Sequence, residues 1–215
     1  SIPASGASDH AFLLGYPRSG TTLIESVLAA VPGVETAEER PTLREADMAF
    51  LAPTLKLDEL KPLSQEAAEE FRAAYWGQVR RLGVERGCKL FVDMDPLKGI
   101  KLPIISKLFP DARIIVMRRD PRDVVWSCFH TNFAPSAAAY EFTSLEKAAR
   151  HYDALMTLMD RCFEKMPLRW VEVRYEDLVG DFDEITRRLC SFLGLQWTEE
   201  LRKFDQVAAR RNITT

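Results

Sequence analysis

Three apolar runs too short to be helices, Ala11–Leu14, Leu90–Val92 and Ile114–Met117, each end in a junction rich in polar groups. Unbroken runs of this length suit strands buried on both faces, which is the setting of a parallel sheet. A fourth run, Trp170–Val173, is interrupted by Glu172 and is expected nearer a sheet edge. Between the runs the period is helical. Ser64–Arg86 places Phe71, Tyr75, Val79 and Leu82 on one stripe, with Glu66, Glu69 and Glu70 near its start, Arg80, Arg81 and Arg86 near its end, and Gly87 to stop it. Thr143 and Glu146 form a capping box ahead of Leu145, Ala149, Tyr152, Met156, Met159 and Phe163. Asp181 and Glu184 open another helix, with Phe182, Ile185, Leu189 and Phe192 on its stripe and Gly194 at its C-cap. Strands alternating with helices of this length predict an α/β fold, a parallel sheet covered by helices on both faces.

A chain of 215 residues, 47% of them hydrophobic, builds one sizeable core, so residues 1–215 are read as a single domain. The net charge of −3 argues against a general nucleic-acid partner, and any bound anion must be met by a local cluster of basic groups. Cys88, Cys128, Cys162 and Cys190 show no CxxC spacing and sit in or beside apolar runs, as buried thiols do. No stretch approaches the roughly 20 apolar residues of a membrane span. The opening SIPASGASDH lacks the basic-then-apolar order of a signal peptide. A cytoplasmic location is the expectation, although the chain begins with Ser rather than Met, so targeting residues can be missing.

Ligands of open parallel sheets gather outside the carboxyl ends of the strands. After the first run comes Gly15-Tyr-Pro-Arg-Ser-Gly-Thr-Thr22, leading into a helix at Leu23–Val31. Gly20 lets backbone amides crowd around an anion, the helix N-terminus adds partial positive charge, and Ser19, Thr21 and Thr22 add hydroxyls. Arg18 can grip an oxyanion in bidentate fashion. The spacing is that of a P-loop, G-x-x-x-x-G-K-[ST], but Thr21 occupies the lysine position. A nucleoside-triphosphate enzyme uses that lysine and magnesium against a highly charged γ-phosphate. A sulfuryl group carries less charge, so hydroxyls, amides and one or two cations suffice without a metal. The bland alternative is a tight turn in which Arg18 pairs with a surface carboxylate.

Ile114–Met117 runs into Arg118-Arg119-Asp120-Pro121-Arg122-Asp123, with Asp120 as helix cap and Pro121 at the first helical position. Ser127 then falls about 10 Å along that helix, at roughly 1.5 Å per residue, where Arg119 can share one phosphate with it. Arg118 and Arg122 are expected as solvated surface arginines.

GYPRSGTTLIESVLAAVPGV, RRDPRDVVWSC and RYEDLVGDFDEITRRLCSFLGLQW together resemble the PAPS-dependent sulfotransferases, enzymes that take a sulfuryl group from 3′-phosphoadenosine 5′-phosphosulfate (PAPS). The similarity spans Phe12–Thr215 and is nearest to the bacterial tetratricopeptide-associated branch and the tyrosylprotein sulfotransferases. The resemblance implies the sulfotransferase fold, a P-loop-like sheet, with Arg18, Ser19, Gly20, Thr21 and Thr22 on the 5′-phosphosulfate. It implies Arg119 and Ser127 on the 3′-phosphate, with Tyr175 a further cofactor contact, and it implies no metal. It also implies a hydroxyl-bearing acceptor: a small molecule, sugar, lipid or peptide tyrosine.

Attack on sulfur needs a base for the acceptor proton, worth about 10²–10⁴-fold. In the related branch a glutamate a few residues past Pro-x-Val does this, which points here to Glu39 after Pro32-Gly33-Val34, with Glu38 as fallback; a charged surface loop is the competing reading. His10, lying before the first strand, His130 and His151 are not placed for the role, nor at zinc-ligand spacing. Two departures stand out. Where the family often has Asp-Lys-x-Pro, this chain reads Asp93-Met94-Asp95-Pro96, leaving Lys98, or Arg18 alone, to steady the leaving oxygen. Arg211-Asn-Ile-Thr-Thr215 resembles the start of a C-terminal segment that closes over the cofactor in relatives; the sequence stops there, so either it is a fragment or the lid is absent. The aromatics of Phe129–Phe142 are equally suited to lining an acceptor site and to capping the core. The rival functions are a P-loop kinase or NTPase, with Leu90-Phe-Val-Asp93 as a weak Walker B, and a catalytically silent nucleotide-binding domain.

Overall fold

The computed structural model describes residues 9–84 and 87–204. Its strands are β1 (His10–Leu14), β2 (Val34–Glu38), β3 (Leu90–Met94), β4 (Arg113–Arg118) and β5 (Arg169–Arg174). Its helices are α1 (Thr21–Ala29), α2 (Arg44–Phe50), α3 (Gln65–Arg81), α4 (Leu102–Leu108), α5 (Pro121–His130), α6 (Ala137–Glu141), α7 (Leu145–Lys165), α8 (Tyr175–Gly180) and α9 (Phe182–Leu193), with 3₁₀ turns at Leu57–Leu60, Pro96–Lys101 and Glu199–Lys203. The strands form one parallel sheet in the order β2-β3-β1-β4-β5, the α/β architecture expected.

Alternation along each central strand sends side chains to two cores. Phe12, Leu14, Phe91, Ile114 and Val116 meet α3, α4, α5 and α7 on one face. Ala11, Leu13, Leu90, Val92, Ile115 and Met117 meet α1, α8 and α9 on the other. Because β1, β3 and β4 are covered on both sides, their sequences read as solid apolar runs. β5 is an edge strand, as Glu172 foretold: Trp170 is 40% exposed, and Glu172 pairs with Arg118 at 2.7 Å.

Several expectations need correction. The segment Val34–Glu38, to which the sequence pattern assigned no element and whose Glu38 the competing reading put in a charged loop, is β2, in register with β3 so that Glu38 lies opposite Met94. His10 is the first residue of β1 rather than a residue before it. α3 starts where expected, with Ser64 capping Ala67, but ends at Arg81; Gly83 then turns with φ +83°, before Gly87 is reached. The cap of α7 is Ser144, whose hydroxyl accepts from Lys147 N–H, while Thr143 donates to the Tyr140 carbonyl. A serine one residue nearer the helix made the better N-cap geometry. At α9, Asp181 accepts from Glu184 N–H and Gly194 closes the helix at φ +71°. All four cysteines are buried. No helix among the described residues is long and apolar enough to cross a membrane. Arg211–Thr215 and Arg86 lie outside the described residues.

Candidate functional site

Parallel strands deliver their following segments to one edge of the sheet, and β1, β2, β3, β4 and β5 bring the singled-out residues there. The loops are stitched together by main-chain bonds: Asp95 N–H to Leu13 C=O (3.2 Å), Gly15 N–H to Pro96 C=O (3.3 Å) and Glu39 N–H to Met94 C=O (2.7 Å).

The loop after β1 closes on itself, with Ser19 N–H donating to Tyr16 C=O at 3.0 Å and Tyr16 N–H to Ser19 Oγ at 3.3 Å. Ser19 and Thr21 are buried, whereas Arg18 and Thr22 are exposed. No side chain caps α1, whose N-cap is Gly20 at φ +101°. The first N–H groups of that helix have no intrahelical acceptor, so with its dipole this end of the helix is able to receive an anion. A Cβ on Gly20 would stand 2.8 Å from the Tyr175 ring, so only glycine allows that ring against the loop.

Arg18 reaches across to α5, where its Nε donates to Ser127 Oγ at 3.0 Å, and among the described residues no carboxylate forms an ion pair with it. Arg119 NH1 contacts the Arg18 carbonyl at 3.4 Å, its NH2 meets Asp123 at 3.2 Å, and its guanidinium lies 4.5 Å over the Tyr175 ring. Its Nε is buried without a hydrogen-bond partner among the described residues. Asp120 caps α5 through Arg122 N–H, and Asp120 N–H donates to Glu176 of α8 at 2.8 Å, fixing the turn that carries Arg119. Arg122 is solvated as expected, but Arg118 is half-buried and held by Asp160 and Glu172. Behind the loop, Cys128 Sγ contacts the Pro17 carbonyl at 3.4 Å, and burial pushes its thiol up to about 12.

Glu38 ends β2 and Glu39 follows it. Thr22 Oγ1 donates to Glu38 at 3.4 Å, so the start of α1 and this acidic pair are neighbours. Glu39 is exposed, and its carboxyl is raised above the ordinary glutamate value by partial desolvation first, then by Asp95 and Glu38. Among the described residues the non-glycine residues with positive φ are Arg18 (70°) and Glu39 (49°). Such backbone is strained for residues with a Cβ and clusters at functional sites.

Lys98 is not available to this surface, contrary to expectation. It is fully buried, its ammonium 2.5 Å from Asp93, and Met94 is buried opposite Glu38. The stretch Phe129–Phe142 divides: it contains α6, Phe142 is buried against Tyr16, Phe133 and His151, while Tyr140 is 64% exposed. His151 is tied to Tyr16 OH at 2.7 Å, and His130 lies tilted against exposed Trp126, with ring centroids 4.2 Å apart. The sequence reading missed Asp123, Glu176 and the Thr42–Asp93–Lys98 cluster. The i, i+4 spacing of Arg119 and Asp123 carried a signal; Glu176 and Thr42 reach their partners from far along the chain.

The sulfotransferase family model matches residues 11–199. This chain belongs to the sulfotransferase family. A putative protein-tyrosine sulfotransferase of Caenorhabditis briggsae is 26% identical over 192 residues, covering 88% of this chain and 67% of the worm protein. Protein-tyrosine sulfotransferase 2 of Gallus gallus is 24% identical over 206 residues, covering 93% of this chain and 54% of its own length. An uncharacterized Aquifex aeolicus protein is 26% identical over 201 residues, which span 90% of this chain and only 26% of that protein. The sulfotransferase fold is shared with the sulfotransferase domain of the Synechococcus PCC 7002 olefin synthase, at TM-score 0.59 and 23% identity over 94% of this chain and 78% of that one. It is shared too with the sulfotransferase domain of the curacin biosynthetic pathway, at TM-score 0.61 and 21% identity over 90% and 76%.

Proposed function

We propose that this sulfotransferase-family chain moves a sulfuryl group from PAPS to a hydroxyl acceptor, with Glu39 as general base and Arg18 stabilising the transferring group. The observation that carries the reading is the contact of Arg18 Nε with Ser127 Oγ at 3.0 Å, which joins the loop after β1 and the helix after β4 into one basic surface. The residues present fit a nucleotide bearing two anionic groups. The uncapped α1 N-terminus with Ser19, Gly20, Thr21 and Thr22 suits the 5′-phosphosulfate. Arg119, with a buried Nε that lacks a partner, suits the 3′-phosphate together with Ser127 and Tyr175.

In the reaction the acceptor oxygen forms a bond to sulfur, the bond from sulfur to the bridging oxygen breaks, and adenosine 3′,5′-bisphosphate leaves. Glu39 takes the acceptor proton; its raised carboxyl makes it a stronger base than an ordinary glutamate. With Met94 apolar and Lys98 sequestered, Arg18 is the cation left to meet the charge on the leaving oxygen. The relatives support a hydroxyl acceptor: some are named for protein tyrosine, and a Mycobacterium bovis protein, 31% identical over 117 residues, is named an omega-hydroxy-beta-dihydromenaquinone-9 sulfotransferase.

The test is thermal stabilisation, because a ligand that binds only the folded chain raises its melting temperature. Adenosine 3′,5′-bisphosphate should stabilise the protein without magnesium, and ATP with magnesium should do so far less. The reverse order would establish a P-loop kinase or NTPase instead. The loss of the family lysine at Met94 favours one second reading, a nucleotide-binding domain without turnover. Stabilisation by the bisphosphate with no sulfuryl transfer to phenols, sugars, lipids or tyrosine peptides would establish it.

A further inference from the structure

Beneath the acidic end of β2 lies a buried polar cluster in an otherwise apolar core. Asp93, at the penultimate position of β3, and Lys98, in the 3₁₀ turn that follows, are both fully buried and 2.5 Å apart. Asp93 Oδ2 also accepts from Thr42 Oγ1 at 2.7 Å and from Tyr75 OH at 2.9 Å. Since the Tyr75 hydrogen goes to Asp93, the bond at 2.7 Å between Tyr75 OH and His10 Nε2 has the imidazole as donor. Lys98 Nζ donates to Thr42 Oγ1 at 3.2 Å and makes a long contact with the Arg40 carbonyl at 3.5 Å. The Thr42 hydroxyl is thus used both ways, as donor to the carboxylate and acceptor from the ammonium.

Such a pair is poor value for stability alone, because desolvating two charges offsets their attraction and apolar replacements of similar size often do as well. What a buried, fully bonded network does provide is a unique arrangement of the segments it ties together. Here those segments are β3, the turn after it, α3, β1 and the loop Glu39–Thr42. That loop carries Glu39 in a left-handed conformation, held on one side by its own N–H to the Met94 carbonyl at 2.7 Å. On the other side, Arg40 and Thr42 are the residues that Lys98 and Asp93 hold.

We propose that Lys98, Asp93 and Thr42 form a positioning cluster that clamps the Glu39–Thr42 loop and so holds the Glu39 carboxylate just past the end of β2. The inference deepens the assignment of Glu39 as base and rests on it for its catalytic meaning. The family lysine is missing at Met94 and Lys98 does not replace it; its charge is spent inside the sheet edge, on aim rather than on the transferring group.

The experiment is amide hydrogen exchange together with NMR titration of the Glu39 carboxyl, its resonance assigned by its disappearance in Glu39→Gln. Two variants are compared with the parent: Thr42→Val, which removes the loop's link but leaves the ion pair, and Asp93→Asn with Lys98→Met, which removes both charges. The first is the milder and keeps the test alive if the second does not fold. In both, exchange at the Glu39 amide should accelerate at least tenfold while Leu13 and Ile115 in the central strands keep their protection. The Glu39 titration should fall back toward the ordinary glutamate range as the loop leaves Glu38, Asp95 and the shelter of the sheet edge. Unchanged exchange and titration at Glu39 in folded Thr42→Val would overturn the proposal, as would a uniform loss of protection across the sheet. If Glu39 is not the base, Glu39→Gln retains turnover even though the clamp responds as described, so the two failures are separable.

Discussion

The two halves of the proposed site are built from different materials. On the donor side, Arg18, Gly20, Ser127, Arg119 and Tyr175 come from loops and helix starts that follow buried central or edge strands, and they meet one another at the surface. On the base side, Glu38 ends an edge strand and Glu39 follows it, and their neighbours are held by a buried ion pair that never reaches the surface. Both halves place one strained residue, Arg18 at φ 70° and Glu39 at φ 49°. The donor side secures its arginine with local turn bonds and a helix N-terminus, whereas the base side needs side chains from β1, α3 and the turn after β3. The first is a portable motif; the second is a property of the assembled sheet.

That contrast can be broken at its largest effect by Glu39→Gln. Turnover with any acceptor the parent sulfates should fall by about 10²–10⁴-fold, the usual worth of a positioned base. Affinity for adenosine 3′,5′-bisphosphate, a donor-side property, should stay near the parent's when measured by calorimetry. In the parent, the raised Glu39 carboxyl must be ionised to act. Activity should therefore be lost as pH falls through a value above the ordinary glutamate range, and that limb should vanish in the variant.

Stability against pH probes the deep end of the base side. His10 is fully buried, and burial lowers its pKa from 6.5 to about 4. Between those values the unfolded chain binds the proton and the folded chain does not, so stability is lost as pH falls from 6.5 toward 4. The loss should be about 3 kcal/mol in denaturant titrations, each pKa unit being worth about 1.4 kcal/mol. A flat profile over that range would show that His10 is protonated in the fold and that the donor role of its Nε2 is not that of a neutral ring.

On the donor side, Arg119→Ala should weaken adenosine 3′,5′-bisphosphate by about 10–100-fold, the worth of charge-assisted bonds to one phosphate. Adenosine 5′-phosphosulfate, which lacks the 3′-phosphate, should lose little; equal losses for both would dissolve the division of labour between Arg18 and Arg119. The smallest expected effect is Gly20→Ala, costing about 1–2 kcal/mol of stability in thermal melts because an L side chain is strained at φ +101°. The added methyl meets Tyr175, so nucleotide affinity should fall with it.

The same contrast explains what reading the chain alone achieved. β1, β3 and β4 were legible because burial on both faces demands unbroken apolar residues, and α5 because Asp120 and Pro121 are local capping chemistry. β2 was not legible. An edge strand carrying Glu35, Thr36 and Glu38 looks like a polar loop, and only pairing with β3 makes it a strand. The α7 cap slipped by one residue for a related reason: Thr143 and Ser144 are chemically equivalent caps until the path of the chain chooses between them. Lys98 was misjudged because a lysine near a strand end looks solvent-facing in any local window. Its partner Asp93 lies close in sequence, but the Thr42 hydroxyl and the wall of α3 that enclose it do not.

The order of the residues by itself determined the alternation of strands and helices, the glycine-bearing turn Gly15–Thr22 and the capped start of α5, because each depends on neighbours within a few positions. The fold alone decided that Arg18 bridges to Ser127, that Tyr175 lies against Gly20 and beneath Arg119, and that Lys98 is turned inward to Asp93. Those contacts join residues distant along the chain or depend on the walls that distant segments supply. Which polar group meets which is settled only when packing excludes water from the competing arrangements.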